Sequence, residues 1–409
     1  MSGPGEQKPA GSRGGRRRAA ERLAHLEEIE VTIEKLVMGG DGFARHEGIP
    51  IFVPRSVPGD RLRVRLAQRR PDYARAEILE VLAPGPGRRS PPCPHFERCG
   101  GCDLQQIDDE RQPPLKAAAV IETLRRLGRL EMPPPELVTG EPWAYRLRAQ
   151  LHTEPDPEGR PRVGYFARGS RELVAVETCP ILVPELEEAL GVLAAQLPVE
   201  PPRRLDLAAG QGGVWTMAPV IEGLPRGPVE LAVGEDTYRF DARTFFQSHR
   251  SLLPRLVETA IGPWQGATAC DLYAGVGLFS LPLARRYRRV YAVEADPAAA
   301  RYARRNVQRN GLPEVEIVAL RAELALARIA LPCERMLVDP PRSGLSREVR
   351  DGLLARRPQR LTYVSCDPPT LARDLRQLTG GYRVESWTLL DLFPQTGHME
   401  AVVQLVDGG

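Results

Sequence analysis

Residues 267–287 read ATACDLYAGVGLFSLPLARRY. An apolar run of strand length meets a turn with two glycines and passes into helix-spaced text, the opening of a nucleotide-binding βα unit. Gly275 and Gly277 let the backbone approach a ligand, but the third glycine of the dinucleotide fingerprint is replaced by Ser280. Glu294 ends the next strand, RVYAVEA, nineteen residues after Gly275, where a carboxylate reaches both ribose hydroxyls of an adenosine. Together with the acidic start at Asp271 this pattern suits S-adenosylmethionine better than NAD, and a merely structural turn is the remaining alternative.

The same texture continues downstream. VEIVAL, ERMLVDP and RLTYVS are further strands, each followed by helical text, so residues 241–409 are expected to form a doubly wound, Rossmann-like α/β domain. Ligands of such sheets bind beyond the carboxyl ends of the strands. Asp339-Pro340-Pro341-Arg342 ends the fourth strand there, its prolines stiffening the turn, although a plain strand stop reads the same way. Ser365-Cys366-Asp367-Pro368-Pro369 ends the fifth, which places Cys366 in one cleft with Asp339 and the glycine loop. A cysteine at a strand end is usually inert packing; the shared cleft favours a nucleophile.

The chain is longer than this one domain. Its 409 residues (45.2 kDa) correspond to two or three domains, and 42% hydrophobic with 27% charged residues excludes wholesale disorder. No apolar run approaches the ~18 residues of a membrane span and no secretory signal is present, so the expectation is a cytoplasmic monomer without a membrane partner. The net charge of +3 is uneven: Lys8, Arg13, Arg16, Arg17 and Arg18 against Glu6 make the first twenty residues strongly basic on a near-neutral body. Residues 1–25 are read as a disordered tail, either seeking a polyanion or merely solubilising.

Short alternating runs from Glu30 to Leu82 predict a small, five-stranded, OB-like antiparallel barrel over 28–84. In it Leu62, Val64 and Leu66 face inward while Arg61, Arg63 and Arg65 form an outward row, a nucleic-acid grip or an ordinary solvated face. Arg146, Arg148 and Arg168 are the next candidates for that role. The linker PGPGRRSPPCP (84–94) leads to a helix over Leu115–Leu130, which is expected to pack on the catalytic domain. Short strands and one helix near Val183–Gln196 complete a mainly β central domain, 85–240.

Three of seven cysteines fall within ten residues, an arrangement that suits metal or catalysis better than disulfides. Cys93, Cys99, Cys102 and Cys179 could hold a [4Fe-4S] cluster or tetrahedral zinc, and spacing alone does not separate the two. Cys270 and Cys333 are read as buried fillers.

The ordered set FFQS (245–248), DLYAGVGLFSL (271–281), VDPPRSGL (338–345), YVSCDPPTLARDL (363–375) and LDLFPQTGHMEAVVQL (390–405) resembles the RNA uracil-C5 methyltransferases, over roughly residues 28–406. The N-terminal barrel resembles the TRAM domain that many members carry. This resemblance implies Cys366 as nucleophile, Glu400 as general base, and Gln247, Tyr273, Glu294 and Asp339, beside Gly275 and Gly277, as the S-adenosylmethionine site. It also favours the iron–sulfur cluster over zinc, and structured ribosomal RNA over transfer RNA as substrate. Asp367 and Leu278 depart from the family's usual Asn and from the polar residue of some members.

The chemistry explains the residue types. C5 of uracil is too weak a nucleophile to accept a methyl group unaided, so a thiolate must first add at C6, and a base must later remove the C5 proton. His398 reads as structural. The competing readings are a catalytically idle RNA-binding or chaperone protein, against which the intact Cys366 and Glu400 argue, and a radical enzyme, against which a four-cysteine ligand set argues.

Overall fold

A computed structural model of the protein describes residues 27–329 and 333–409. The basic tail expected over 1–25 lies outside them. Alternating apolar residues build the N-terminal sheet from β1 (Glu28–Thr32), β2 (Lys35–Leu36), β3 (Gly42–His46), β4 (Ile49–Val53), β5 (Arg61–Arg69) and β6 (Ala74–Ala83), hydrogen-bonded in the order β1-β5-β6-β4-β3-β2. Leu62, Val64 and Leu66 enter its core with Ile29, Val31 and Ile51. Six strands stand where a five-stranded antiparallel barrel was expected, because residues 33 and 34 part β1 from β2; β4 and β6 pair in parallel, and among the described residues no ladder joins β2 to β1, so a closed barrel is not shown. Between β1 and β2 the Ile33 N–H donates to Asp60 O (2.9 Å) and the Glu34 N–H to Phe43 O (2.8 Å), so the chain passes there from its β5 side to β3.

The outward arginine row also differs from expectation. β5 runs between β1 and β6, whose register sets Glu28 and Glu77 opposite Arg65, and Glu30 and Glu80 opposite Arg63. Arg65 pairs with Glu77 (3.0 Å), Arg63 with Glu80, and Arg61 with Glu30 (3.6 Å). The face is a charge-balanced ladder, not a bare row of guanidiniums. The second-choice arginines are half-buried ties: Arg168 bridges Asp41 (2.7 Å) and Asp103 (2.5 Å), Arg148 donates to the Ala242 carbonyl (3.0 Å), and Arg146 to the Arg148 carbonyl (3.0 Å).

Helix α1 (Gln112–Thr123) begins earlier than the expected Leu115, because Pro113 and Pro114 fit a first turn that has no use for their missing N–H. It runs into a wider π turn, Leu124–Gly128, which Arg129 ends at φ 55°. The chain then lays down β7 (Glu136–Val138) and a five-stranded antiparallel sheet of β8 (Arg148–Pro155), β9 (Pro161–Phe166), β10 (Leu173–Ala175), β11 (Arg204–Ala209) and β12 (Trp215–Ala218). The helix Pro184–Gln196 packs on that sheet through Leu186, Leu190 and Leu193. A hairpin, β13 (Val229–Val233) and β14 (Asp236–Phe240), follows, and the side chains of Asn306 and Asn310 receive its N–H groups at Arg239 (2.8 Å) and Thr237 (2.9 Å).

The largest sheet contains β15 (Gly266–Leu272), β16 (Tyr287–Val293), β17 (Val315–Val318), β18 (Arg335–Val338), β19 (Arg360–Ser365), β20 (Tyr382–Leu390) and β21 (Glu400–Asp407), ordered β17-β16-β15-β18-β19-β21-β20-β7. The first five are mutually parallel, as the alternation of apolar strands and helices predicts. β21 returns antiparallel between β19 and β20, and β7, drawn from far upstream, closes the edge. One face is covered by Leu256, Leu281 and Tyr302 among others; the other by helices Ala322–Arg328, Arg347–Arg356 and Pro368–Leu378 together with Ala117, Val120 and Leu124 from α1 and the π turn after it. Cys270 and Cys333 are buried in this second layer. No helix among the described residues is long and apolar enough to cross a membrane.

One ion pair fastens α1 to the loop after β20. Lys116 Nζ, 3% exposed, donates to Asp391 Oδ1 at 2.5 Å and to the Phe393 carbonyl at 3.1 Å. Burial lowers the Lys116 pKa and the Asp391 carboxylate opposes that shift. Lys116→Met leaves Asp391 buried and unpaired, and should lower stability by about 3–5 kcal/mol in a denaturant titration. The double variant Lys116→Met/Asp391→Leu is expected to recover most of that loss; an equal or larger loss in the double variant would show that the pair is not the source.

Candidate active site

Every candidate residue of the large sheet lies just past a strand end at one edge. Tyr273 follows β15, Glu294 follows β16, Asp339 follows β18 and Cys366 follows β19, while Glu400 starts the antiparallel β21 at that same edge. The register makes the last two neighbours: Ser365 pairs with Ala401, so one step further the chain sets Cys366 against Glu400. Directly opposed residues of an antiparallel pair hold their Cβ atoms about 4.5–5.5 Å apart.

The glycine loop is held open by its own backbone. Tyr273 (φ 66°), Gly275 (φ 57°) and Gly277 (φ 96°) all adopt the left-handed region, unusual for Tyr273 and free for the glycines. The Gly275 N–H donates to Glu294 Oε2 at 2.8 Å, which joins the loop to the acid expected to read a ribose. Burial raises the Glu294 pKa, while the N–H groups of Asp296 and Gly275 pull it down. A cavity of about 540 Å³ opens here, lined by Tyr273, Glu294, Ala295, Arg321 and Ser343 among others. Beneath the loop, Asp271 takes the Ser280 hydroxyl at 2.5 Å and keeps its other oxygen buried without a partner. An adenosine-bearing ligand fits this arrangement of acid, open backbone and cavity.

Across the cleft, Gln247 Nε2 donates to Asp339 Oδ2 at 3.3 Å. Burial pushes Asp339 up to about 7, the Gln247 hydrogen bond opposing it. Burial also raises Glu400 well above the ordinary carboxyl range; the Asp339 charge adds to this and Arg342 opposes it. Two such carboxyls exchange protons as one coupled system. Burial pushes the Cys366 thiol up to about 12, with Glu400 and Asp339 reinforcing the shift and a hydrogen bond from Arg342 resisting it.

Arg342 acts on this site and Phe245 stands two residues before Gln247; neither had a role in the sequence reading, although both stand inside its quoted motifs. Arg342 is a cation near enough to favour the charged forms of both the Cys366 thiol and Glu400. Phe245, 64% exposed two residues before Gln247, is an aromatic plane turned to solvent. A charged residue directly after a strand-end Asp-Pro-Pro was the available signal for Arg342; exposure, the signal for Phe245, is not written in a sequence. The two departures also find their places: Asp367 caps helix Pro368–Leu378 by accepting the Thr370 N–H (2.9 Å), which Asn does equally well, and Leu278 is buried core. His398 is half-buried against Phe393, in keeping with a structural role.

The four candidate ligand cysteines come together in a separate cavity. Cys93, Cys99, Cys102 and Cys179 all line one cavity of about 150 Å³, with Tyr165 and Arg146. Among the described residues, however, no three His, Cys, Asp or Glu side chains stand close enough to hold a single metal ion.

Comparison with known proteins agrees with the geometry. The family profile described as tRNA (Uracil-5-)-methyltransferase matches residues 229–407, and the TRAM domain profile matches 23–79. The chain is 34% identical to a 23S rRNA (uracil(1939)-C(5))-methyltransferase of Chromohalobacter salexigens, over 92% of this chain and 88% of that one. It is 32% identical to an uncharacterized RNA methyltransferase of Nostoc, over 93% and 96%. In fold it is similar to a tRNA (uracil-54, C5)-methyltransferase of Pyrococcus abyssi solved with S-adenosyl-L-homocysteine: TM-score 0.73, 24% identity, 92% of this chain and 100% of that one.

The buried Asp271 has a consequence for stability. Burial raises its pKa from 3.8 to about 8, so the fold favours the neutral acid. Its contribution is fully present below the unfolded value and is lost as pH rises through the folded value. Asp271→Asn, which keeps an acceptor for Ser280 and cannot ionise, should therefore gain in melting temperature relative to the parent between pH 5 and pH 8 in ligand-free protein. A gap that is constant or shrinks over that range would refute the assignment.

Proposed function

The chain belongs to the RNA uracil-C5 methyltransferase family, and we propose that Cys366 is its nucleophile and Glu400 its general base, acting on a uridine of structured ribosomal RNA. The enzyme transfers a methyl group from S-adenosylmethionine to C5 of uracil in RNA. The observation that carries the residue assignment is that the β19–β21 ladder ends with Ser365 opposite Ala401, one step before Cys366 and Glu400.

The Cys366 sulfur adds to C6 of the uracil, and the C5=C6 electrons move toward C5. Bound S-adenosylmethionine supplies an electrophilic sulfonium methyl group, which C5 takes. Glu400 then removes the C5 proton; the electrons of that C–H bond restore C5=C6, the C6–S bond breaks and the thiolate leaves. Arg342 stabilises that thiolate in both the attacking and the departing state. The free protein keeps its thiol neutral, so activation awaits a ligand that brings positive charge into the cleft. Glu294, Tyr273, Gly275 and Gly277 would hold the adenosine end of the methyl donor, and Gln247 with Asp339 would border its reactive end. A stacked uracil hides C6, so the base is flipped into the cleft at a cost of a few kcal/mol, which stacking on the exposed Phe245 helps to offset.

We read Cys93, Cys99, Cys102 and Cys179, which line one cavity, as the ligands of a [4Fe-4S] cluster, with zinc as the alternative. A cluster is a body that fills a cavity, and these four cysteines line one. Four ligands saturate it, which suits a structural role. The reading takes the chain as a cytoplasmic monomer whose N-terminal domain meets the RNA.

Cys366→Ala should abolish methylation and leave RNA binding within about twofold in a filter-binding assay, since the thiol makes no ground-state contact of consequence. Glu400→Gln should accumulate a methylated, denaturant-stable protein–RNA adduct; full turnover by that variant would remove Glu400 from the base role. Purified without oxygen, the protein should be brown and contain iron and sulfide. One zinc per chain with no iron would overturn the cluster.

A further inference from the structure

The turn that delivers Glu400, Asp391–His398, is held by groups that come from four other parts of the chain. Gln395 is fully buried with φ 66°, and its polar atoms all find partners. Its side-chain Oε1 accepts from Gln112 Nε2 and its N–H donates to Gln112 Oε1, both at 2.9 Å, while its Nε2 donates to Asp109 at 2.7 Å. Its carbonyl accepts the N–H groups of Asp103 (2.8 Å) and Leu104 (3.0 Å). The Asp103 carboxylate accepts the Gly397 N–H at 3.1 Å with one oxygen and Arg168 at 2.5 Å with the other, and Arg168 continues to Asp41. Tyr145 Oη donates to the Pro394 carbonyl at 2.8 Å. Gly397 lies so close to the N-terminal turn that a Cβ there would stand 2.3 Å from the Gly39 carbonyl carbon.

A fully satisfied network of this kind would be excessive for a surface turn that merely joins two strands. Asp103 directly follows the cysteine Cys102, Gln112 starts α1, and the turn ends two residues before Glu400, so the bonds tie the Glu400 approach to the cysteine loop and to the N-terminal domain at once. We propose that Asp103 and Gln112 are positioning residues for proton removal: they set the height of the 395–397 turn and thereby the reach of the Glu400 carboxylate toward C5, without touching substrate themselves. The inference rests on the assignment of Cys366 as nucleophile and Glu400 as base. It predicts a selective defect, because attack and methyl transfer use Cys366 and the methyl donor on β19 and the glycine loop, which these bonds do not hold. Only the step that breaks the C5–H and C6–S bonds depends on the turn.

The test is single-turnover methylation of target RNA by the full-length protein, reading formation of the methylated adduct and release of free methylated RNA separately on denaturing gels. Asp103→Ala and Gln112→Ala should form the adduct within about twofold of the parent rate and release RNA on the order of tenfold or more slowly, since sub-ångström misplacement of a reacting group is costly. A general loss of structure would slow both steps alike and would lower S-adenosylmethionine binding, which is measured in parallel. Gln112→Ala bears on the inference even if Asp103→Ala loses iron, because the bonds of Gln112 run to Gln395, Leu104 and Ile107. If Glu400→Gln traps the adduct while both anchor variants release at the parent rate, or slow both steps equally, the positioning role is overturned and the catalytic assignment stands. If Glu400→Gln itself releases at the parent rate, the base assignment falls and this inference with it.

Discussion

Antiparallel pairing of β21 with β19 is the constraint on which the site depends. Ser365 opposite Ala401 means that Cys366 and Glu400, thirty-four residues apart, meet at the sheet edge where the glycine loop also opens. Side chains alternate faces along a strand, so a slip of one residue would turn Glu400 away from the cysteine. The bulge between Val384 and Ser386 and the packing of Trp387 and Leu389 keep β20 in step with β21, and β7 seals the far side.

Around that pairing the protein buries more acid than it neutralises. Asp271, Asp339 and Glu400 are all pushed toward the protonated form by burial, with Arg342 as the nearby cation. Such a cluster lowers stability, and buried acids with raised pKa values cluster at functional sites. Tyr273, held at φ 66° beside it, adds backbone strain in the same place. The surrounding ties, Lys116 to Asp391 and Gln112 to Gln395, hold the geometry against these costs.

Most arginines that look available in the N-terminal half are already engaged. Arg61, Arg63 and Arg65 face acids on neighbouring strands, Arg88 bridges to the buried Asp60 at 2.6 Å, and Arg168 links two domains through Asp41 and Asp103. Exposed pairs of the first kind contribute little to stability and exchange readily with phosphate, whereas the buried ones are structural. A count of basic residues therefore overstates the cationic surface of this half of the molecule.

Local pattern was enough to read the strand–loop–helix of 267–287, the parallel order of β15 to β19 and the placing of Tyr273, Glu294, Asp339 and Cys366 at carboxyl ends, because strand periodicity and the glycine turn are written in neighbouring residues. The alternation of Leu62, Val64 and Leu66 likewise assigned an inward face correctly. What local pattern could not carry was anything set by residues distant in the chain. The acids opposite the arginines of β5, the parallel pairing of β4 with β6, the recruitment of β7 and the bonds from Asp103 and Gln112 to the turn before Glu400 all depend on register and docking between segments up to almost three hundred residues apart. Hydrogen bonds and ion pairs act over about 3 Å, and only the folded chain decides which groups come within that distance.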